Sequence, residues 1–368
     1  MKFLIIIISV ITVVMLMAPP TWAQKFNDNG GKNIAGVDYI DPAPGQSNQE
    51  KILQGHTDVV LDVTFSPDGS KLASVSRDQT VRIWDCTSLT MTTDVPSDTD
   101  GTRDVPVTVL RGHKESIYSV CISKDGQVLA AASWMGEVRI WSLPSGELLQ
   151  TLQAHRQGVT CVAIAPDSQF LATGGADKSV KLWNVADGQL LGTLQGHTSG
   201  VLHVAFSLDG TALASAGLDT TVKLWDRQDL KVLKTLTGHS GGGGNFPHPG
   251  YVNCIAYASD SRTLASASHD KSVRLWNILA TEEESPTVLT GHTDTISSVA
   301  ISPSDARIAS GSFDRSIRLW HGTTGEVIHV LTGHTGEVTA VTFSPDGQWL
   351  ASASFDHTVR LWKMKPDN

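Results

Sequence analysis

The sequence predicts an all-β protein assembled from seven copies of one four-stranded unit, and three observations support this fold class. A ten-residue phrase, SRDQTVRIWD at residues 76–85, returns as SHDKSVRLWN at 268–277 and as SFDHTVRLWK at 354–363. A His that follows Gly, or once Ala, precedes each such Trp, and 28 residues separate the two in six of the seven copies. Between these marks, short apolar runs alternate with turn residues, and no stretch sustains a helical period.

Each copy contains four predicted strands in a fixed order. In the first copy, VVLDVTFS follows the His, SPDG supplies Pro and Asp-Gly for a tight turn, and KLASVS comes next. TVRIW then alternates with a period of two, and a run such as GELLQTL in the second copy precedes the next Gly-His. Four-stranded units of about 42 residues with Gly-His and Trp-Asp marks indicate propeller blades.

Two copies carry insertions. Residues 240–250, SGGGGNFPHPG, lengthen the separation of His239 from Trp276 to 37 residues, and residues 86–106 lengthen the separation of Trp84 from His113 to 29. The glycine-rich insertion is not a phosphate loop, because no Lys-Ser/Thr follows it, so a flexible linker or a flap over the channel mouth is expected. The other insertion is acidic, and we expect a solvated loop. Loose Ca²⁺ binding is the alternative, although the Asp spacing matches no EF-hand.

The motifs resemble those of the WD-repeat (WD-40) β-propeller family over residues 50–363. The Trp-Asp dipeptide is present at Trp84-Asp85 and Trp225-Asp226, and elsewhere Ser, Asn, His or Lys follows the Trp. The resemblance implies a closed seven-bladed β-propeller of four-stranded antiparallel blades, which we assign to residues 49–365. It is specific for the fold and says little about activity.

The two ends of the repeat region are expected to close the ring together. The chain ends just after Trp362, so the seventh copy lacks a fourth strand, whereas a strand-like QEKILQ at residues 49–54 precedes the first His. We predict that this N-terminal strand completes the last blade, which leaves no exposed sheet edge at the junction.

The N-terminal residues indicate export. Lys2 precedes an uncharged apolar run, residues 3–17, and APPTWAQ follows, in which the small residues Thr21 and Ala23 lie three and one before a cut after Ala23. Fifteen apolar residues are short for a bilayer span of about 20, so residues 1–23 are interpreted as a secretory signal peptide and 24–48 as a flexible leader. An uncleaved membrane tether is the alternative. The exported bacterial type of the family, periplasmic or secreted, is therefore expected, with no stable membrane insertion if the signal is cleaved.

Composition restricts the partners and cofactors. A net charge of -9 without a basic stripe argues against nucleic-acid binding. Three of the four Cys lie inside apolar strand-like runs, and no CxxC or Cys/His spacing typical of a metal site exists. We expect no disulfide framework, no metal and no cofactor, and a monomeric propeller.

The repeated His, Ser or Thr, Asp and Trp raise the question of catalysis. In the family that this sequence resembles, these four residues form a hydrogen-bonded structural tetrad inside each blade. An enzyme needs one polarised site, not several similar relays around a ring, so no catalytic residue is assigned. The resemblance implies six tetrads: His56, Ser74, Asp78, Trp84; His155, Thr173, Asp177, Trp183; His197, Ser215, Asp219, Trp225; His239, Ser266, Asp270, Trp276; His292, Ser310, Asp314, Trp320; and His334, Ser352, Asp356, Trp362.

The second copy departs from this pattern. Met135 stands at the Asp position and Ala131 at the hydroxyl position, while His113 and Trp141 remain. We expect the second blade to be the least rigid of the seven. Neutral drift tolerated by a redundant repeat is the alternative reading.

Large side chains at turn tips indicate the surface that binds a partner. The residue before each tetrad Asp and the residues that follow the tetrad His are expected on one face around the channel mouth. The predicted partner-binding residues are Arg77, Tyr118, Trp134, Leu218, Tyr251, His269, Phe313 and Phe355. A plug of the central channel is the structural alternative.

Three classes of function follow from these observations. A non-enzymatic scaffold for protein–protein interaction in an exported compartment is expected, with a partner that the sequence does not identify. The alternative is an exported binder of small molecules or glycans at the channel mouth, suggested by the aromatic Tyr118, Trp134 and Tyr251. A hydrolase would need a unique nucleophile–base pair or a metal cluster, and the sequence offers neither.

Overall fold

The computed structural model describes residues 38–40, 50–87, 105–240, 250–280 and 285–364. The repeats belong to one compact unit, Tyr39–Asn368. The predicted signal peptide 1–23, most of the predicted leader 24–48, and the greater part of the insertions 86–106 and 240–250 lie outside the described residues.

The described strands form seven antiparallel sheets, called blades 1 to 7 here. Two short strands come first, β1 (Asp38–Ile40) and β2 (Glu50–Leu53). Blade 1 contains β3 (Val60–Phe65), β4 (Lys71–Ser76), β5 (Val81–Asp85) and β6 (Val107–Leu110). Blade 2 contains β7 (Ile117–Ile122), β8 (Val128–Ser133), β9 (Glu137–Ser142) and β10 (Leu148–Gln153). Blade 3 contains β11 (Val159–Ile164), β12 (Phe170–Gly175), β13 (Ser179–Asn184) and β14 (Leu190–Gln195).

The remaining blades repeat the same order. Blade 4 contains β15 (Val201–Phe206), β16 (Ala212–Gly217), β17 (Val222–Asp226) and β18 (Val232–Leu236). Blade 5 contains β19 (Val252–Tyr257), β20 (Thr263–Ser268), β21 (Ser272–Asn277) and β22 (Thr287–Thr290). Blade 6 contains β23 (Ile296–Ile301), β24 (Arg307–Ser312), β25 (Ile317–His321) and β26 (Val327–Leu331). Blade 7 contains β27 (Val338–Phe343), β28 (Trp349–Ser354) and β29 (Val359–Lys363).

The first strand of every blade faces the ring centre and carries a β-bulge. These strands contact one another from blade to blade, which identifies them as the inner strands. In blade 1 the register of β3 against β4 shifts between Val60 and Asp62, and the inner strands of the other six blades shift at the equivalent place. A bulge breaks the two-residue alternation of side chains, so two consecutive residues of each inner strand can point toward neighbouring blades or the channel.

The predicted closure of the ring is confirmed. Strand β2 pairs antiparallel with β29, with Glu50 opposite Trp362 and Leu53 opposite Val359. Blade 7 is therefore completed by an N-terminal strand. The carboxylate of Glu50 also accepts a hydrogen bond from the Arg360 guanidinium, which adds an ion pair to the junction.

A fifth strand at the outer edge of blade 6 lies inside the predicted leader. Strand β1 is hydrogen-bonded next to β26, giving the order β1-β26-β25-β24-β23. Val327 and Ile328 on β26 are half-buried, whereas Leu148 and Leu149, at the start of the outer strand of blade 2, are 43% and 49% exposed. The outer edge of a blade can thus accept an additional strand.

The hydrophobic core lies between blades rather than inside them. One cluster joins Leu53 and Leu361 of blade 7 to Val60, Leu72 and Trp84 of blade 1. The other six clusters within the described residues each join two neighbouring blades in the same way. A single blade cannot bury its two faces alone, so each one depends on both neighbours, as in other repeat architectures.

Candidate functional site

In six blades the structure brings the predicted His, Ser or Thr, Asp and Trp together as one hydrogen-bonded cluster. In blade 1, Trp84 Nε1 donates to Ser74 Oγ over 2.9 Å, and His56 Nε2 lies 2.8 Å from the same oxygen. His56 Nδ1 lies 2.8 Å from Asp78 Oδ2. The same three contacts recur in blades 3 to 7 with lengths between 2.7 and 3.0 Å.

The direction of each bond follows from the available protons. An indole N–H can only donate, so Ser74 Oγ accepts from Trp84 and gives its own proton to His56 Nε2. His56 then carries its proton on Nδ1 and donates it to Asp78. The hydroxyl, the imidazole and the indole are all satisfied while the His stays neutral, so the cluster contains no buried positive charge.

The tetrads are closed to solvent. The side chains of the six His residues are 0–1% exposed, and the six Ser or Thr residues are 0% exposed. A substrate cannot reach the hydroxyl oxygen in any of them. These clusters therefore connect the strands of a blade and do not form a nucleophile–base pair.

A fifth residue belongs to each cluster and was not included in the sequence prediction. Thr80 Oγ1 donates to Asp78 Oδ1 over 2.6 Å, and the Thr80 backbone N–H donates to the same oxygen over 2.9 Å. A Ser or Thr four residues before the Trp does this in all six blades: Thr80, Ser179, Thr221, Ser272, Ser316 and Thr358. Aligning the copies on Trp would have revealed this position.

The hydrogen bonds keep the tetrad carboxylates ionised. Burial opposes the ionisation of Asp219, but the hydrogen bonds from His197, from the Thr198 backbone and from Thr221 together outweigh it and lower the pKa to about 2. The pKa of Asp270 is lowered to about 2 for the same reasons. The other four tetrad carboxylates also have pKa values well below the usual range: Asp78, Asp177, Asp314 and Asp356.

Blade 2 lacks this cluster but retains a carboxylate near its His. Met135, at the Asp position, is 66% exposed, and Ala131 brings no hydroxyl. Glu137 occupies the place of Thr80, and its Oε1 lies 3.0 Å from His113 Nδ1. This pair is not aligned as a hydrogen bond, and His113 Nε2 has no partner among the described residues. Burial is the main cause that lowers the pKa of His113, to about 4.

One backbone hydrogen bond places the candidate partner-binding residues on the same face in all seven blades. The residue before the tetrad Asp position donates its N–H to the carbonyl of the residue just before the inner strand, as Arg77 does to Val59 over 3.0 Å. The equivalent bonds are 2.9–3.1 Å long: Trp134 to Ser116, Ala176 to Gly158, Leu218 to Gly200, His269 to Tyr251, Phe313 to Thr295, and Phe355 to Glu337. The turn and the loop after the His are thus fixed against each other.

The turn itself has a left-handed residue in every blade. Gln79, which follows the tetrad Asp, has a φ of 67°, and the equivalent residues of the other blades have φ between 67° and 85°. In blade 2 the residue at this position is Gly136. In the other six blades it is not a glycine, and the left-handed conformation then costs about 1 kcal/mol. In the six tetrad blades the backbone N–H two residues after the tetrad Asp donates to its carboxylate, which helps to hold the turn in this shape.

Five of the eight predicted residues lie on four consecutive blades, 6, 7, 1 and 2, and we call them the aromatic arc. The rings of Phe313 and Phe355 meet edge to face with centroids 6.1 Å apart. The Arg77 guanidinium lies 5.5 Å from the Phe355 ring centroid, and the rings of Tyr118 and Trp134 are 5.5 Å apart. Burial raises the pKa of the Tyr118 hydroxyl, and the nearby positive charge of Arg77 acts in the opposite direction.

The other three predicted residues lie outside this arc. Tyr251 and His269 of blade 5 form an edge-to-face pair with ring centroids 5.9 Å apart, and Leu218 of blade 4 lies over Gly200. All eight predicted residues are half-buried. All except Leu218 contact another member of the set, yet each of the eight keeps part of its surface open.

Residues at the bulges of the inner strands connect neighbouring blades. Thr339 Oγ1 of blade 7 donates to the Val60 carbonyl of blade 1 over 2.7 Å. Thr160, Asn253 and Ser297 make the equivalent bonds to the next blade: Thr160 to Val201, Asn253 to Ile296, and Ser297 to Val338. Leu61, Tyr118 and Leu202 occupy this place in the other blades. Of these three residues, only Tyr118 belongs to the aromatic arc.

The seven repeats match a known family. The WD40 family (WD domain, G-beta repeat) matches residues 47–85, 104–142, 146–184, 188–226, 230–277, 283–321 and 325–363. These segments follow the seven copies and cover more than half of the chain. The chain belongs to the WD40 family.

Relatives of this WD40 chain are similar over parts of their length. WD repeat and SOCS box-containing protein 1 of Danio rerio is 38% identical over 98 residues, which is 26% of this chain and 20% of that protein. Small ribosomal subunit protein RACK1y of Oryza sativa subsp. japonica is 36% identical over 98 residues, 26% of this chain and 29% of that protein. Protein transport protein SEC13 of Pyricularia oryzae is 32% identical over 135 residues, 35% of this chain and 43% of that protein. The chain thus spans between 20% and 43% of the length of these relatives.

Other features of this WD40 propeller lie away from the arc. Two clefts of 480 and 340 Å³ open on the opposite face, at the turns that contain Asp68. Within the described ranges, no three His, Cys, Asp or Glu side chains are grouped so that they could hold a metal ion. In the same ranges, no helix is long and apolar enough to cross a bilayer. All four Cys are free thiols.

Proposed function

We propose that this WD40 propeller is a non-enzymatic scaffold that binds protein partners in an exported compartment through the aromatic arc and its neighbouring turns. The observation that supports this most is the arc itself: aromatic and Arg side chains from four consecutive blades lie on one face, where Phe313, Phe355 and Arg77 contact one another and Tyr118 contacts Trp134. Aromatic residues and Arg are the residue types that contribute most to binding energy in protein interfaces.

The rigid turns that carry the arc residues favour the binding of a partner over simple filling of the central channel. Each arc residue that precedes a tetrad Asp is held by its own backbone hydrogen bond and by the Asp-centred turn behind it. Preorganised side chains lose little conformational entropy when a partner docks. The half-buried state of Phe313 and Phe355 leaves surface that a partner can cover.

The relatives support an interaction role. The name of one relative places it in the small ribosomal subunit, and the name of another places it in protein transport. We carry over to this chain only the general role of binding other proteins.

The exported compartment rests on the N-terminal sequence. The apolar run 3–17 and the small residues Thr21 and Ala23 before the cut predict a cleaved signal peptide. N-terminal sequencing of the protein from the periplasm or the medium should therefore start at Gln24. A protein that retains Met1 and fractionates with membranes would support the tethered alternative, and one that stays in the cytoplasm would contradict export.

Paired substitutions test the binding face. The double variant Phe313→Ala, Phe355→Ala should weaken capture of a specific protein from exported fractions by about 30-fold or more, because each Phe is expected to act as a binding hot spot. The matched control is Leu191→Ala, Leu233→Ala, which removes exposed apolar side chains (44% and 62% exposed) from outer strands. Capture that is equal in the two variants, while both remain folded, would contradict the proposed face.

A second candidate is a small-molecule or glycan binder at the channel mouth. The tilted pair Tyr118–Trp134, with an interplanar angle of 41°, offers an aromatic platform of the kind that stacks on sugar rings. Glycan-array binding that is lost in Tyr118→Ala, Trp134→Ala and kept in Phe313→Ala, Phe355→Ala would favour this candidate over the scaffold.

A further inference from the structure

The outer edge of a blade is the place where this chain adds a strand to itself. Strand β1 pairs with β26 at the outer edge of blade 6 and makes a five-stranded sheet. At the start of β26, Val327 and Ile328 are half-buried. An outer strand that is not covered presents a row of unpaired N–H and C=O groups, so it can accept a strand from another chain.

Exposed apolar side chains concentrate at the outer strands of blades 2, 3 and 4. The strands β10, β14 and β18 each begin with two large apolar residues that are between 38% and 62% exposed: Leu148, Leu149, Leu190, Leu191, Val232 and Leu233. Val107 on β6 and Val288 on β22 are single exposed residues. Three neighbouring blades therefore expose a pair of apolar side chains where blade 6, which carries β1, does not.

Five of the seven outer edges have a feature that hinders pairing with another chain. Strand β2 carries the charges of Glu50 and Lys51, and β18 carries that of Lys234. Strands β6 and β22 are only four residues long, and each directly follows a proline, Pro106 or Pro286. The fifth edge, β26, is covered by β1. Charges, prolines, short strands and a covering segment are the usual means by which an edge strand is protected.

The outer edges of blades 2 and 3 have none of these features. Strands β10 (LLQTLQ) and β14 (LLGTLQ) are six residues long, carry no charged side chain and do not directly follow a proline. No further strand within the described ranges pairs with either one. Each has a bulge in its pairing with the neighbouring strand, but β26 has the same bulge and still accepts β1.

The chemistry of these two edges specifies the segment that fits. Because neither strand offers a charge, a charged side chain of an incoming strand would lose water without gaining a partner. An uncharged segment rich in β-branched and aromatic residues suits such an edge, since these side chains pack well across neighbouring strands. The leader of this chain already pairs with blade 6, and residues 41–49 join it to β2 in blade 7. The segment is therefore expected to come from another protein.

We propose that the outer edges of blades 2 and 3 are docking sites for extended, uncharged segments of a partner protein, each of which adds to β10 or β14 as a fifth strand. Backbone hydrogen bonds supply most of the affinity, and the leucine pairs that begin at Leu148 and Leu190 pack against apolar side chains of the incoming strand. This surface lies on the outer strands, is separate from the aromatic arc and does not depend on it.

Binding of a synthetic strand peptide to the full-length protein tests the proposal. The probe is a fluorescent peptide in which Thr alternates with Val, Ile and Tyr, and in which only a terminal Lys tail carries charge. Its anisotropy should rise on titration with the protein. A version with Pro at two central positions lacks two N–H groups and should bind at least about 10-fold more weakly. Equal binding of the two peptides would overturn the proposal, because adhesion to apolar side chains does not require a strand.

Lysine substitutions at the two edges should block the site. The double variant Leu149→Lys, Leu191→Lys places one charge on each edge and should weaken peptide binding about 10-fold or more. The matched control is Val107→Lys, Val288→Lys, which adds the same charges at exposed apolar positions of the outer strands of blades 1 and 5. This control should bind the peptide as the wild type does. Equal affinities of the two folded double variants would overturn the proposal.

Hydrogen exchange locates the bound strand and separates this site from the arc. The amides of β10 and β14 should gain protection when the peptide is added, whereas those of β6 and β22 should not. Phe313→Ala, Phe355→Ala should bind the peptide as the wild type does, and so should Leu191→Ala, Leu233→Ala to within about 2-fold, because Ala leaves the backbone edge uncharged. Protection gained on β26 alone would contradict the proposal. So would a dimer of the free protein that Leu149→Lys, Leu191→Lys dissociates, since a second copy would then cover these edges.

Discussion

Glu137 Oε1 lies 3.0 Å from His113 Nδ1 in blade 2, on the side of the imidazole where the other six blades have an Asp. The carboxylate comes from the strand position that elsewhere holds Ser or Thr, and it also accepts a hydrogen bond from Arg139 Nε over 2.7 Å. Blade 2 thus keeps a negative charge near its His but has lost the hydroxyl between His and Trp. The difference gives a direct way to test what the tetrads contribute.

Restoring the cluster should stabilise blade 2. The triple change Ala131→Ser, Met135→Asp, Glu137→Thr gives both nitrogens of His113 the partners that His56 has in blade 1. The expected gain is about 1–3 kcal/mol in the free energy of unfolding, since a buried polar group without a partner costs that amount. Urea unfolding measures it.

A control for this repair is Ala172→Ser in blade 3. Ala172 is 0% exposed and its blade already has a hydroxyl at Thr173, so an added buried hydroxyl should destabilise the protein.

Amide exchange gives a second readout: β8 of the unmodified protein should exchange faster than the central strand of any other blade. If β8 exchanges most slowly, or the repair destabilises the fold, the structural role assigned to the tetrads is wrong.

Removing one hydroxyl should have the opposite effect in an intact blade. Ser352→Ala leaves Trp362 Nε1 and His334 Nε2 without the oxygen that both contact. We expect a loss of about 2 kcal/mol in the free energy of unfolding. Ser259→Ala, at an exposed position of blade 5, should change the same quantity by less than about 0.5 kcal/mol. Similar losses in the two variants would show that the buried hydroxyl contributes nothing specific.

Acid should destabilise the protein in two separate steps. His113 has a pKa of about 4 in the fold and near 6.5 in the unfolded chain. Below pH 6.5 the unfolded chain binds a proton that the folded protein does not, so stability is full above pH 6.5 and falls as the pH drops towards 4. The variant His113→Gln should show a smaller loss in urea unfolding measured from pH 7.5 to 4.5, and part of the step should remain because burial also lowers the pKa values of His56 and His334. An identical pH profile for His113→Gln and the wild type would disprove the depressed pKa.

The second acid step comes from the tetrad carboxylates. Asp219 and Asp270 have pKa values of about 2 in the fold, against about 3.9 in an unfolded chain. Their contribution is therefore present above pH 4 and is lost as the pH falls from 4 towards 2. The double variant Asp219→Asn, Asp270→Asn should be less stable at pH 7 and should show a smaller further loss between pH 4 and 3. A further loss as large as that of the wild type would count against these carboxylates.

Much of the fold could be predicted because the spacing of the repeated residues shows where each blade begins and ends. The constant separation of His and Trp defines the blades, and the unassigned strand before His56 identifies β2 as the partner of β29. The tetrad members could be predicted from an alignment on Trp. The hydroxyl of Thr80 and its equivalents was visible in the same alignment but did not enter the prediction, since Ser and Thr are also ordinary turn residues.

Other features needed the structure. The direction of the side chains that follow Val60 depends on the bulge between Val60 and Asp62, which shifts them against the two-residue alternation that a sequence shows. Strand β1 has only three residues and pairs at an outer edge, so the sequence pattern did not predict it. The carboxylate of Glu137 near His113 was not predicted, because it lies two positions after the place where the other copies have their Asp. Contacts across blades, such as Arg77 with Phe355, join residues almost 280 positions apart.

The closed ring requires that the first and last strands of the repeat region, β2 and β29, pair with each other. Amide hydrogen exchange of the full-length protein, resolved to single residues, tests this most directly. The amides of Lys51–Leu53 should be protected to the same degree as those of the outer strands β10 and β14. Exchange of Lys51–Leu53 at the rate of an unstructured peptide, with the other six blades protected, would contradict the closed seven-bladed ring.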